Sequence, residues 1–178
     1  MLQRRLAQRQ DAVFHREVAT EVAEPTDAQA AQAARERFMQ EVIGPAIRPQ
    51  ALALVRQHQQ AGDEVVIITA TNEFVTRPIA DAFGVQQLIA VELARDAQGW
   101  ITGEIRGVPS FREGKVQSFF CWLAARHLTR AQAEVTFYSD SINDLPLMEH
   151  VDHPVATNPD DRLRQLATQR GWRILNLF

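Results

Sequence analysis

The chain has 178 residues, of which 46% are hydrophobic and 23% are charged, a composition typical of one globular domain with an apolar core. Its net charge of −3 argues against nucleic acid or an anionic membrane as a partner. No stretch of the sequence is apolar over a length that would span a bilayer.

The single cysteine, Cys121, cannot form an internal disulfide, which is typical of a protein in a reducing cytoplasm. We therefore predict a cytoplasmic location. Because Cys121 lies in an apolar helical stretch, we also expect its thiol to be buried.

The first 45 residues are predicted to be helical. Apolar residues recur at helical spacing over 2–23, and Thr26 begins a capping box with Gln29. The helix that follows is expected to stop at Gly44-Pro45, since a glycine stop is followed there by a residue that cannot continue a helix.

From residue 50 onward, predicted helices and strands alternate. The run 65–68 has the continuous β-branched character of a strand buried on both faces, and 135–138 is predicted to be a second buried strand. The alternation predicts an α/β fold with a Rossmann-like parallel sheet and helices on both faces, in which ligands bind at the carboxyl ends of the strands. The other predicted elements are helices at 50–61, 74–83, 115–126, 143–149 and 160–169, strands at 88–91, 154–156 and 172–175, and a hairpin formed by 91–93 and 100–105.

Polar residues follow the first buried strand, which ends in Thr69-Ala70-Thr71-Asn72. A hydroxyl at the end of a buried parallel strand can donate a hydrogen bond to an anion. The alternative is that Thr71 or Asn72 is only the N-cap of the next helix.

Lys115 follows Gly114 and begins the predicted helix at 115–126. A lysine beside the free amide groups of a helix N-terminus favours phosphate. The P-loop pattern does not fit, because Val116 stands where that pattern has Ser or Thr. The alternative for Lys115 is a solvated surface lysine.

Two carboxylates follow the second buried strand. Asp140 stands at the strand end, and Asp144 lies four residues later, one helical turn on. Both carboxylates can therefore face one point. As ligands, magnesium prefers one or two carboxylates together with water and substrate phosphate. The alternative is that Asp140 caps a helix and Asp144 lies on the surface.

In this order, Thr69, Lys115 and the pair Asp140 and Asp144 resemble motifs two, three and four of phosphatases of the haloacid dehalogenase superfamily. The segments 111–116 and 138–147 resemble its phosphoserine-phosphatase-like branch. The resemblance implies that 1–45 is part of a helical cap and that 46–178 is the α/β core.

The resemblance also implies a function, the hydrolysis of small phosphorylated metabolites with Mg²⁺. Thr69 and Lys115 would bind the transferring phosphoryl group, while Asp140 would ligate magnesium with support from Asp144. Asn143 would orient the loop or the phosphate, and 70–72 would contribute to the phosphate site.

One motif of the family is absent from these 178 residues, which contain no Asp-x-Asp. In the family that motif ends the first strand and supplies the nucleophile and the acid/base, so we expect the first strand to be missing and this chain alone to be inactive. Two neighbouring strands would then have unpaired edges, through which the chain could self-associate.

The alternative function is that of a catalytically dead relative that binds a phosphorylated ligand or a protein. Ala70-Thr71-Asn72 replaces the glycines of close phosphoserine phosphatases, which argues against phosphoserine as the substrate.

Overall fold

The computed structural model describes residues 28–97, 99, 101–107 and 110–177. The helices predicted over 2–23 and the capping residue Thr26 lie outside these residues. Within the described ranges, no helix is both long enough and apolar enough to cross a membrane.

The N-terminal helical segment does not end where the sequence predicts. Helix α1 (Ala28–Phe38) continues through a π turn at Met39–Ile43 into a last turn, α2 (Gly44–Ala46). The predicted stop at Gly44-Pro45 is therefore wrong, because Gly44 has helical angles of φ −52° and ψ −52° and its N–H donates to the carbonyl of Met39. The wider turn accommodates Pro45, which has no N–H and whose ring crowds a regular helical turn.

The alternating elements predicted from residue 50 onward are confirmed, with shifts of a few residues at their ends. The helices are α3 (Pro49–Ala61), α4 (Glu73–Ala82), α5 (Glu113–Ala124), α6 (Leu145–Met148) and α7 (Asp161–Arg170). The strands are β1 (Val66–Asn72), β2 (Gln87–Arg95), β3 (Ile101–Arg106), β4 (Thr136–Ser139), β5 (His153–Thr157) and β6 (Arg173–Leu175).

The strands form two sheets of three. In the first, β2 pairs with β1 in parallel and then with β3 in antiparallel fashion, with Ile68 opposite Ile89 and Leu93 opposite Ile105. The two short runs predicted over 88–93 are thus one continuous strand. In the second sheet, β4, β5 and β6 are all parallel, with Val155 opposite both Tyr138 and Arg173. The α/β class is confirmed, but the single predicted sheet is present as two halves.

Helix α5 packs against both halves. Phe119 and Leu123 of α5 form a buried cluster with Leu147 of α6, and Ile68 of β1 and Phe137 of β4 both pack against that cluster. Lys115, Phe119 and Leu123 recur every four residues on the buried face of α5. Cys121 lies on the opposite face and is exposed, so the predicted buried thiol is wrong.

Candidate active site

Lys115 and Asp144 form an ion pair in the interior. Lys115 is the third residue of α5 and is only 6% exposed. Its Nζ donates a hydrogen bond to Asp144 Oδ1 at 2.5 Å and lies 6.0 Å from the ring centre of Phe137 in β4. Because an unpaired buried ammonium group is strongly disfavoured, the carboxylate explains how a lysine is accommodated here. Lys115 is therefore not a solvated surface lysine, which was the alternative interpretation of the sequence.

Ser139 holds the other oxygen of the same carboxylate. It is the last residue of β4, and its Oγ donates to Asp144 Oδ2 at 2.7 Å. The backbone N–H of Ser141 donates to the same Oγ at 3.2 Å. Both oxygens of Asp144 are therefore fixed. Ser139 was not among the predicted site residues, although a hydroxyl residue directly before Asp140 at a strand end was a signal for it.

Asp140 is open to solvent. It follows β4 directly, and its backbone carbonyl accepts a hydrogen bond from the N–H of Asp160 at 3.0 Å. Its side chain is exposed, and within the described part of the chain its carboxylate has no hydrogen-bond or ion-pair partner. Asn143 is also exposed, in the 3₁₀ turn Ile142–Asp144.

The residues that end β1 make mostly local hydrogen bonds. The Oγ1 of Thr69 accepts from the N–H of Thr71 at 3.1 Å, and Asn72 caps α4 by accepting from the N–H of Val75 at 3.1 Å. The N-cap interpretation is thus confirmed for Asn72. Among the described residues, no hydrogen bond joins Thr69 to Lys115, although the preceding Ile68 packs on α5.

A cavity of about 760 Å³ separates the two half-sheets. Residues 65–68 of the β1 segment and 135–138 of the β4 segment line it, together with side chains of α3 and α5. In the described residues β1 pairs only with β2, and β4 only with β5. Each strand therefore has an unpaired backbone edge, and both strands line the same cavity.

One polar chain links the two halves across this cavity. His58 of α3 places Nε2 2.8 Å from the hydroxyl of Tyr138 and Nδ1 2.7 Å from Asp63 Oδ2. Burial raises the pKa of Tyr138 above its ordinary value of 10.0; Arg173 opposes this shift and Asp63 adds to it. The phenol is thus held in its neutral form well into alkaline solution.

Comparison with known proteins fits this arrangement. Residues 3–149 match the family model described as haloacid dehalogenase-like hydrolase. The chain belongs to this family. Over 140 residues the chain is 44% identical to a Neisseria meningitidis protein named histidinol-phosphatase, a match that covers 78% of this chain and 63% of that protein.

Solved structures support the fold of this chain. A crystal structure of a protein of unknown function from Bordetella pertussis Tohama I is 46% identical, with a TM-score of 0.84, and the match covers 92% of this chain and 73% of that one. Phosphoserine phosphatase in its apo form shares the fold, with a TM-score of 0.62 at 14% identity, over 93% of this chain and 74% of that one. The chain spans less than two thirds of the length of the Neisseria relative.

The carboxylates that follow β4 fit part of a magnesium site. Asp140 offers an open carboxylate, and Mg²⁺ takes one or two such groups with water and phosphate completing its shell. The oxygens of Asp144 are already engaged by Lys115 and Ser139. In the part of the chain that the structure describes, no three His, Cys, Asp or Glu side chains are grouped closely enough to hold a metal ion.

Proposed function

We propose that this chain supplies the phosphate-binding and metal-binding part of a magnesium-dependent phosphomonoester phosphatase. The observation that carries the proposal is the buried pair of Lys115 and Asp144, which is tied by Ser139 to the end of the parallel strand β4, where the exposed Asp140 is the next residue. Fixed positive charge at such a place stabilises the charge that develops on a transferring phosphoryl group.

Each predicted site residue has a role in this proposal. Asp140 would bind Mg²⁺, and Asp144 would fix the ammonium group of Lys115, whose charge neutralises phosphoryl oxygens. The bound metal would supply further neutralisation of phosphate charge. Thr69 would donate its hydroxyl to the phosphoryl group. The backbone of 70–72 and the side chain of Asn143 would complete the phosphate site.

The proposal assigns the bond-breaking step to a group outside these 178 residues. The sequence contains no Asp-x-Asp, and loss of a nucleophile can reduce turnover on the order of a millionfold. We therefore propose that the chain alone does not hydrolyse phosphomonoesters. A strand carrying the two aspartates would fit between β1 and β4, where two unpaired edges line one cavity. Residues 1–45 would then be part of a helical cap on the core formed by 46–178.

The substrate proposed is a small phosphorylated metabolite, with histidinol phosphate as the first compound to test. The support is the 44% identity to the Neisseria protein named histidinol-phosphatase. A protein from Mycobacterium tuberculosis that is 34% identical over 139 residues is named a phosphoserine phosphatase, so phosphoserine is the second. The single cysteine supports a cytoplasmic location.

The test is to supply the nucleophile. A segment with an Asp-x-Asp strand and its following helices, taken from a longer family member, is fused ahead of Met1. Magnesium-dependent release of phosphate is then measured from histidinol phosphate, phosphoserine and p-nitrophenyl phosphate. We expect activity in the fusion, background in the chain alone, and loss of activity in the fusion with Asp140→Asn. A well-folded fusion that hydrolyses none of a broad panel of phosphomonoesters would instead support a catalytically dead binding protein.

A further inference from the structure

Ser139 has a buried hydroxyl whose single proton is committed to Asp144. The residue is 7% exposed at the end of β4, where it lies opposite Ala156 of β5. Its Oγ accepts from the N–H of Ser141 at 3.2 Å and donates to Asp144 Oδ2 at 2.7 Å. Because a serine hydroxyl has one proton, this donated bond uses the whole donor capacity of the side chain.

The bond from Ser139 fixes the plane of the Asp144 carboxylate. The torsion that turns a carboxylate about its Cβ–Cγ bond is broad, so a single partner leaves the plane of the group loosely defined. In Asp144 the two oxygens have different partners, since Lys115 Nζ lies 2.5 Å from Oδ1 and Ser139 Oγ lies 2.7 Å from Oδ2. Without the hydroxyl, the carboxylate could turn, and the ammonium group that it holds could move with it.

The ammonium group of Lys115 has donors left for a ligand. It carries three N–H groups, and among the described residues its Nζ donates only to Asp144. Lys115 is only 6% exposed, so the two other N–H groups lie in a place where an unpaired donor is costly. An anion bound at Nζ would accept from these donors and complete their hydrogen bonding.

We propose that Ser139 is a positioning residue that acts through Asp144 to direct the ammonium group of Lys115 at the phosphate group of the substrate. The inference rests on the proposed function, because it takes phosphate as the group that binds to Lys115. The alternative is that the hydroxyl of Ser139 only stabilises the turn after β4. Its loss would then lower the melting temperature and leave the affinity for phosphate unchanged.

Ser139→Ala is the informative variant, since it removes the hydroxyl and leaves both members of the ion pair in place. The affinity of the full chain for inorganic phosphate is measured by titration calorimetry in magnesium buffer, together with the melting temperature of each variant. We expect Ser139→Ala to weaken phosphate binding about tenfold, as the loss of one hydrogen bond to a charged group predicts. Ser139→Thr keeps the hydroxyl on a side chain that suits a strand and should restore most of the affinity. Ser139→Cys, whose thiol is a weak donor, tests the same point if the alanine variant fails to fold.

Ser110→Ala is the matched control. Ser110 is also a buried serine, only 1% exposed, and its hydroxyl donates to Ser118 Oγ at 3.2 Å rather than to Asp144. Its removal should lower the melting temperature without changing the affinity for phosphate. The control therefore separates the loss of a buried hydroxyl in general from the loss of the one that holds Asp144.

The outcomes separate this inference from the proposed function. If folded Ser139→Ala binds phosphate as tightly as the unsubstituted chain, the role of Ser139 is wrong and the phosphate site stands. Equal losses of affinity in Ser139→Ala and Ser110→Ala would also overturn the inference, as would a folded Ser139→Thr that binds as weakly as the alanine variant. If the unsubstituted chain binds no phosphate, or if Lys115→Met binds it equally well, the proposed function and the role of Ser139 fail together.

Discussion

The ammonium group of Lys115 lies 2.5 Å from Asp144 Oδ1, and the two side chains are only 7% and 16% exposed. The two residues are 29 positions apart, so the pair joins the start of α5 to the turn after β4. A pair of this kind adds little net stability relative to apolar residues, but each charge becomes costly when its partner is removed.

The first prediction concerns the loss of stability when Lys115 is removed from this pair. Lys115→Met should lower the free energy of unfolding by on the order of 3 kcal/mol, because it leaves the Asp144 carboxylate without its counter-ion in a largely buried place. Arg106→Met is the control, since Arg106 pairs with Glu92 at 3.1 Å on the surface and should cost less than about 1 kcal/mol. Urea denaturation measures both. Equal losses in the two variants would contradict a buried pair.

The second prediction separates the two aspartates. Asp140→Asn should change the free energy of unfolding by less than about 0.5 kcal/mol, since its carboxylate is exposed and has no partner among the described residues. Asp144→Asn should be clearly destabilising, because it leaves the ammonium group of Lys115 unpaired. Urea midpoints of the two variants give the comparison. A large loss in Asp140→Asn would mean that this residue has a structural role.

Much of the fold could be predicted because its signals are local. The run 65–68 is continuously apolar, the run 135–138 has the composition of a strand, and Asp140 and Lys115 stand at element ends that the sequence shows. The ion pair was not predicted, since spacing along the chain does not give the direction of two side chains 29 residues apart. The split sheet was expected only through the family resemblance.

The wrong predictions have physical reasons too. Gly44-Pro45 is a strong stop signal, yet a π turn lets the helix continue to Ala46. Cys121 lies in an apolar helix, but the four-residue spacing from Lys115 to Phe119 sets the buried face and leaves the cysteine outside it. Neither the continuation of the helix to Ala46 nor the exposure of Cys121 follows from composition alone.

The third prediction uses the single tyrosine of the chain. Because burial raises the pKa of Tyr138 above 10.0, its phenolate absorbance should appear at a higher pH in the folded protein than in urea. The folded state favours the neutral phenol, so this contribution to stability is present below pH 10.0 and is lost as the pH rises through the folded pKa. Tyr138→Phe should remove the signal. A folded midpoint at or below that in urea would contradict the burial of this hydroxyl.

The fourth prediction concerns association through the unpaired edges. Strands with open edges pair with other chains, and a lysine on such an edge opposes this. The chain should therefore form concentration-dependent oligomers in sedimentation velocity. Thr136→Lys, at an exposed position on β4 beside the cavity, should reduce them. Gln165→Lys on α7 adds the same charge away from the edges and should have no effect. A monodisperse, cooperatively melting monomer would show that the two half-sheets close on each other.

The fifth prediction separates the structural effect of an added strand from its chemistry. In the fusion described above, a strand between β1 and β4 would satisfy two rows of backbone groups, and each buried unpaired group costs about 1–3 kcal/mol. Net domain stability is only about 5–15 kcal/mol, so the fusion should melt well above the chain alone. A fusion carrying Asn-x-Asn should melt equally high and be inactive, because the strand pairs through its backbone whereas catalysis needs the carboxylates. Scanning calorimetry and phosphate release measure the two effects on the same samples. If the Asn-x-Asn fusion melts no higher than the chain alone, the cavity between β1 and β4 is not the place of that strand.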